Sequence, residues 1–346
     1  MSITTSGQHL TAAEAFRTRP LSRAQRAQRL LHRHPELSPL AVLVVAGVAF
    51  QFANDRFLLP GNLSLILQQV AIVGALAVAQ TLIILTAGID LSVGALMIFV
   101  SMVMGTLVGH AGLPGVLAFL IGLAVAALAG LVNGALVAYA KLPPFITTLG
   151  TLSVFTALAL LMSNGESIQG DHLGSFLTWT ASAFSIGSFQ FTVGVVMVIV
   201  LYVVGAVVLA HTAWGRHVYA VGSDEPAARL AGVRTRKVLL SVYVVAGIVV
   251  AIAAWALIGR NNAATTSTGV DANLDSITAV VIGGTSLFGG RGRLVGTFLG
   301  AVTVGVFRNG LSLARVDVLY QTLAVGLLII GAVALDQWIR RPGSAR

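Results

Sequence analysis

Apolar residues run unbroken for long stretches of this chain, and charged residues fall between them. Residues 57–89, 91–140, 142–165, 172–215, 238–259 and 318–335 contain no Asp, Glu, Lys or Arg. A helix needs roughly 20 apolar residues to cross a bilayer. The run 91–140 is long enough for two spans, and His110-Ala-Gly-Leu-Pro114 divides it. The pattern predicts spans at about 37–54, 63–86, 91–109, 115–140, 145–163, 191–210, 238–258, 274–288, 294–312 and 317–336. The eighth is too short to cross a full bilayer unaided. The nine prolines (20, 35, 39, 60, 114, 143, 144, 226 and 342) fall in predicted connections or at helix ends, where a fixed φ and a missing N–H are tolerated. Continuous runs, in place of period-two alternation, argue against a barrel. The predicted fold is an all-α polytopic membrane protein of about ten transmembrane helices.

Composition narrows the class. Of 346 residues, 56% are hydrophobic and only 10% charged, against about a quarter in soluble domains. That excludes an ordinary soluble globule, a disordered chain and a coiled coil. The absence of cysteine excludes disulfides, Cys-ligated zinc, Fe–S clusters and thiol catalysis. The net charge of +9 is explained by its distribution. With the N-terminus inside, the cytoplasmic segments collect seventeen of the 21 basic residues, as the positive-inside rule requires. Arg56, Arg260 and Arg315 are left outside. Arg308 falls within the ninth span, and its side chain is expected to snorkel to the outer interface. A nucleic-acid partner would need a contiguous basic face, which only the N-terminal arm approaches.

The chain thus divides into a basic cytoplasmic arm (1–36), a transmembrane domain (37–336) with a polar loop at 211–237, and a basic cytoplasmic tail (337–346). The arm carries Arg19, Arg23, Arg26 and Arg33 at helical spacing. It reads either as an amphipathic helix on anionic lipid or as a mobile arm that only fixes topology. Its long charged region, with no cleavage site after the apolar run, is unlike a signal peptide. The localisation predicted is the cytoplasmic membrane, multi-pass, with both termini inside.

Two halves echo each other. Asn133-Gly-Ala-Leu leads to Phe145-Ile-Thr-Thr-Leu149, and Asn309-Gly-Leu-Ser leads to Tyr320-Gln-Thr-Leu323, about 176 residues later. Upstream of each lies a Gly-broken segment: Leu85-Thr86-Ala-Gly88-Ile-Asp90-Leu-Ser92-Val-Gly94, and Ile282-Gly283-Gly284-Thr-Ser-Leu-Phe-Gly-Gly290. Asn133 and Asn309 fall on helices of opposite direction, so the halves read as inverted repeats. Transporters built this way place the pathway at the repeat interface.

Asp90 lies in a region otherwise uncharged from 57 to 140. A carboxylate at membrane depth is a functional candidate. Between two glycines at a cytoplasmic turn, it also reads as a cap for a helix starting at Leu91. Asn133 and Asn309 read as interhelical hydrogen-bonding groups or as pathway lining. The histidines fall in connections or at span ends, none with ligand spacing, which argues against a metal site. In the polar loop, Asp224 suits an N-cap, Pro226 a first turn, and Gly232 a left-handed C-terminal cap. A short capped helix is encoded there, packed on its own chain or docked to a partner.

A Walker A site needs Gly-Lys-Ser/Thr. The only lysines follow Ala140 and Arg236, so any ATP hydrolysis belongs to another chain. No nucleophile elbow or clustered carboxylate pair marks an embedded enzyme.

Three motifs now carry a resemblance: Thr86–Gly94, Gly215–Val233, and Ala279-Val-Val-Ile-Gly-Gly-Thr-Ser-Leu-Phe-Gly-Gly-Arg-Gly-Arg293 followed by Val295-Gly-Thr. In this order and at this spacing, over about 38–336, the chain resembles the ribose-type sugar permeases of ABC importers. The resemblance implies a homodimer of ten-helix permeases, a cytoplasmic ATPase pair holding ATP and Mg, and an extracytoplasmic sugar-binding protein. It implies that the polar loop holds a coupling helix seated on the ATPase, with Gly215, Gly222, Asp224, Glu225, Ala228, Arg229 and Gly232 in it. Thr86, Gly88, Asp90, Ser92, Gly94, Asn133, Phe145, Gly283, Gly284 and Asn309 are then candidates for the pathway or its structural breaks. Arg56, Arg260 and Arg315 are candidates for docking the binding protein, or ordinary loop charges. One departure is visible: similar family members often show an amide where Arg308 precedes Asn309. The alternatives are an ABC permease for a nucleoside or branched-chain amino acid, and an ion-coupled secondary transporter, which the scarcity of intramembrane carboxylates disfavours.

Overall fold

The computed structural model describes residues 37–267 and 271–340. The predicted N-terminal arm lies outside the described residues, as do the last six positions of the tail. Helices stand at each of the ten predicted places: α1 (Leu37–Ala53), α2 (Pro60–Leu85), α3 (Val93–Gly109), α4 (Gly115–Ala138), α5 (Pro144–Ser163), α7 (Val193–His211), α10 (Thr235–Asn261), α11 (Ala272–Ile282), α12 (Leu294–Leu313) and α13 (Val318–Arg340). Six are long and apolar enough to cross a membrane, namely α2, α4, α5, α7, α10 and α12; α1, α3, α11 and part of α13 are shorter apolar helices. Pro60 and Pro144 open α2 and α5 from the first turn, where the missing N–H has no partner to lose.

Between α5 and α7 lie strand β1 (Ile168–Gln169), a short helix α6 (Gly174–Thr178), and a hairpin of β2 (Ala183–Ile186) with β3 (Phe189–Thr192). β1 pairs antiparallel with β4 (Ala263–Ala264). These small strands were outside the helix-only expectation.

Three expectations are corrected here. The eighth helix stops at Ile282, short of the expected 288, because Gly284 turns the chain at φ +79°. The loop 211–237 is mostly helical: it holds α8 (Ala213–Ser223) and α9 (Glu225–Leu230) before α10 begins at Thr235. Thr212 starts α8, its hydroxyl accepting the Gly215 N–H at 3.1 Å. His217 therefore sits on a helix. The last helix runs through Arg340, so the start of the expected tail continues α13.

The repeat extends over four helices. α2, α3, α4 and α5 begin at 60, 93, 115 and 144, and α10, α11, α12 and α13 begin 175, 179, 179 and 174 residues later. Their contacts exchange as an internal two-fold demands. α2 packs on α10 at the centre. α10 packs on α3 and α4 of the first half, while α2 packs on α11 and α12 of the second. Within each half, the second helix packs on the third and fourth. The most buried spans are accordingly α2, α10 and α12, while α4, α5 and α7 turn wide apolar faces outward.

Glycine permits the closest crossings. A Cβ at Gly130 of α4 would collide with the Tyr243 carbonyl of α10, and one at Gly247 of α10 with the Ala126 carbonyl of α4. Gly283 and Gly296 face each other across the α11–α12 turn with no room for a side chain on either.

Candidate functional site

The non-helical turn 86–92 is the hub of the first half. Thr86 closes α2 by donating its hydroxyl to the Ile83 carbonyl at 2.8 Å, and Ala87 follows at φ 60°. Asp90 is 4% exposed. Its Oδ1 accepts both the Ser92 N–H and the Ser92 hydroxyl, each at 2.6 Å. The helix starts two residues later than expected, at Val93, and Ser92, not Asp90, is its cap residue. Two residues before the cap, the Asp90 carboxylate holds the turn that leads into α3.

Four helices then grip this turn. Asn133 of α4 donates to Ser92 Oγ at 3.1 Å. Thr148 of α5 accepts the Leu91 N–H at 3.0 Å. Asn273 of α11 donates to the Leu91 carbonyl at 2.7 Å. From α10, the Tyr243 hydroxyl would stand 3.3 Å from a Cβ at Gly88. At Gly94 a Cβ would come within 3.0 Å of the Asn273 Cβ, so the N-termini of α3 and α11 abut. Asp90, Ser92, Gly88, Gly94 and Asn133 thus come together. Thr148, Tyr243 and Asn273 join them, and the sequence had not assigned these a role.

The second half differs. Asn309 is also buried, but its Oδ1 accepts from Asn62 of α2 at 2.9 Å, away from the Asp90 turn. Arg308 does not snorkel. Its Nε and Nη2 reach the Asp275 carboxylate of α11 at 2.7 and 2.8 Å, with Asp271 at 4.0 Å. The Asp275 side chain is 5% exposed and that of Arg308 32%, so an ion pair to a buried carboxylate holds a cation that stays partly open to solvent. A sequence signal existed: Gly269-Val270-Asp271 echoes Gly88-Ile89-Asp90 at an offset of 181. Phe145 lies in the first turn of α5 and is half-exposed, apart from both clusters.

The polar loop forms a compact element outside the apolar spans. Asp224 caps α9, accepting the Ala227 N–H at 2.9 Å. Glu225 pairs with Arg229 at 2.9 Å and accepts the Thr235 hydroxyl at 3.0 Å, fastening α9 to the start of α10. Ala228 faces inward, and Gly232 takes φ +86° in open space. Gly215 and Gly222 lie within α8, each where a Cβ would strike backbone: Leu209 for the first, Leu85 for the second. Tyr219 donates to the Gly292 carbonyl at 2.9 Å. Burial raises the Tyr219 phenol, opposed by the Arg293 charge, so it remains a donor at neutral pH.

Arg56, Arg260 and Arg315 are all exposed. The loops of Arg56 and Arg315 touch, since Asn54 accepts the Arg56 N–H at 3.0 Å and donates to the Leu313 carbonyl at 3.2 Å. Arg260 lies elsewhere, lining a small cleft with Gln68, Thr180 and Thr192.

Comparison with known proteins bears on this arrangement. The family described as the branched-chain amino acid transport system / permease component matches residues 62–333. A fructose import permease protein of Rhizobium meliloti is 49% identical over 321 residues, covering 92% of this chain and 89% of that protein. A ribose import permease protein of Bacillus subtilis is 39% identical over 304 residues, covering 87% and 92%. A D-allose transport system permease protein of Escherichia coli is 30% identical over 306 residues, covering 86% and 90%. No solved structure matches this chain. The chain belongs to the branched-chain amino acid transport system / permease component family, and it is a multi-pass membrane permease of the ABC sugar-import type.

Proposed function

We propose that this chain is the membrane half of an ATP-driven importer for a neutral monosaccharide, with a ketohexose such as fructose as the first substrate to test. A separate ATPase hydrolyses ATP, holding it with Mg; an extracytoplasmic binding protein delivers the sugar; and two copies of the permease form the pathway. Both termini face the cytoplasm. α2 and α10 are the second and seventh predicted crossings, an odd offset of five, which makes the two repeats opposite in orientation.

The observation that carries the ATPase coupling is Leu230. It is 91% exposed, the most exposed large apolar side chain among the described residues. It ends a capped and salt-bridged helix that follows the amphipathic α8, outside the apolar spans. A short helix held rigidly by its own chain, with an apolar tip facing outward, is shaped to enter a partner's groove. The sugar follows from the 49% identity to a fructose import permease and from a transmembrane body with few charges. Arg56, Arg260 and Arg315 offer the binding protein cationic contacts at the opposite face, where opposite charge would guide docking.

The test is purification of the tagged chain from its native membrane with its companions. A P-loop ATPase at near-equal stoichiometry, and ATP-dependent uptake of fructose by reconstituted vesicles containing the companion binding protein, are expected. A chain that comes out alone and drives uptake on an ion gradient without ATP sinks the proposal.

A further inference from the structure

Three segments meet backbone to backbone where α8 touches the transmembrane body. They are the end of α2 (Leu85–Ala87), the end of α8 (Gly222–Ser223) and the turn Gly289–Gly290. The Gly290 N–H donates to the Leu85 carbonyl at 2.9 Å. A Cβ at Gly222 would collide with that same carbonyl and stand 2.8 Å from the Gly290 nitrogen. One at Gly289 would come within 2.6 Å of the Gly222 carbonyl oxygen and 2.8 Å of the Ala87 nitrogen. One at Gly290 would lie 2.7 Å from the Ser223 Cα. Two residues further on, the Tyr219–Gly292 hydrogen bond closes the junction.

The ownership of these segments matters. Leu85–Ala87 belongs to the first repeat and leads directly into the Asp90 turn that α4, α5 and α11 hold. Residues 289–292 belong to the second repeat, between α11 and α12. The contact is made by backbone and the first side-chain carbons of Ala87 and Ser223, with no long flexible side chain between the segments, and such close packing transmits displacement instead of absorbing it. A shift of α8 therefore has to be followed by both repeats.

We propose that this glycine joint is the transmission element of the permease: force applied to α8–α9 moves the end of α2 and the 289–292 turn relative to each other, and so shifts one repeat against the other. The proposal rests on the reading of α8–α9 as the ATPase-coupling element.

The test uses the permease reconstituted with its ATPase and binding protein. Gly222 has no positive φ, so Gly222→Ala introduces only a methyl group against the Leu85 carbonyl. Uptake is expected to fall at least about tenfold, with the ATPase still co-purifying at wild-type stoichiometry and its hydrolysis no longer stimulated by the loaded binding protein. Tyr219→Phe keeps volume and fold and removes one hydrogen bond, so a smaller uncoupling of about threefold is expected. Wild-type uptake per ATP in both variants overturns the joint, as does a loss of uptake that merely tracks the amount of folded complex. A photoreactive residue at position 230 separates the two readings. No adduct with the ATPase removes the coupling reading itself, and the joint with it. An adduct together with undiminished coupling in Gly222→Ala removes the joint alone.

Discussion

The two repeats share a plan and differ in chemistry. In the first, a carboxylate at the α2–α3 turn is satisfied by the N–H and hydroxyl of one neighbouring residue, and neutral amides and hydroxyls from α4, α5 and α11 complete the cluster. In the second, the carboxylate sits inside the short helix α11 and is answered by a full charge, Arg308. The close helix crossings differ too. Gly130 of α4 and Gly247 of α10 meet backbone, whereas Gly305 of α12 meets the Val70 side chain of α2. A duplicated scaffold thus joins its halves rigidly on one side and more compliantly on the other. Motion between them is expected where the contacts can yield.

The rigid crossing should give the largest effect. Gly130→Ala drives a methyl into the Tyr243 carbonyl, and overpacking of that kind costs up to about 3 kcal/mol when backbone must move. A large drop in thermal midpoint, or loss of folded protein in detergent, is expected in size-exclusion thermal assays. An unchanged midpoint would show that α4 and α10 are free to separate.

The charged pair comes next. Asp275→Ala leaves Arg308 half-buried with only the exposed Asp271, at 4.0 Å, to answer it. Breaking a fully buried pair costs several kcal/mol, and the one-third exposure of Arg308 reduces that to about 2 kcal/mol. The double variant Asp275→Leu with Arg308→Met should recover most of the loss, because it removes both charges. A double variant no better than the single one would mean that the two side chains do not couple. The amides follow: Asn133→Ala and Asn309→Ala each remove one interhelical hydrogen bond, worth about 1 kcal/mol or less. Asn133 is expected to be the more damaging, since of these two amides only it holds the turn that carries Asp90; equal losses in midpoint would contradict that ranking.

The sequence carried what is local. Pro60, Pro144 and the Asp224–Pro226 pair place helix starts through their own φ and capping groups, and charge-free runs place the spans. An internal repeat was legible in two asparagines, their spacing and the Gly-broken segments upstream, but its extent over four helices was not. What needed the third dimension was lost. Gly215 and Gly222 read only as members of the polar coupling loop, yet both sit within α8 where backbone approaches it. Arg308 read as a snorkelling charge because its partner, Asp275, stands 33 residues away at what looked like a span end. Asn273 reaches the Leu91 carbonyl across 182 residues, and no local pattern announces such a contact.

The mildest substitution tests the comparison most sharply. Gly305 faces Val70, and the atom in the way of a new Cβ is the Val70 Cγ2. A methyl at the end of a side chain is displaced by a change of rotamer, at about 1 kcal/mol, whereas a carbonyl oxygen fixed in a helix is not. The first-half and second-half crossings occupy equivalent places in the repeat, so Gly130→Ala and Gly305→Ala insert the same group at related positions. If the crossings differ in compliance as their contacts imply, Gly305→Ala should lower the midpoint by only a few degrees and leave uptake nearly intact, while Gly130→Ala abolishes both. Equal damage from the two would mean that the α2–α12 crossing is as rigid as α4–α10, and the yielding contacts would then have to be sought at the other crossings between the halves, where α2 meets α11 and α10 meets α3.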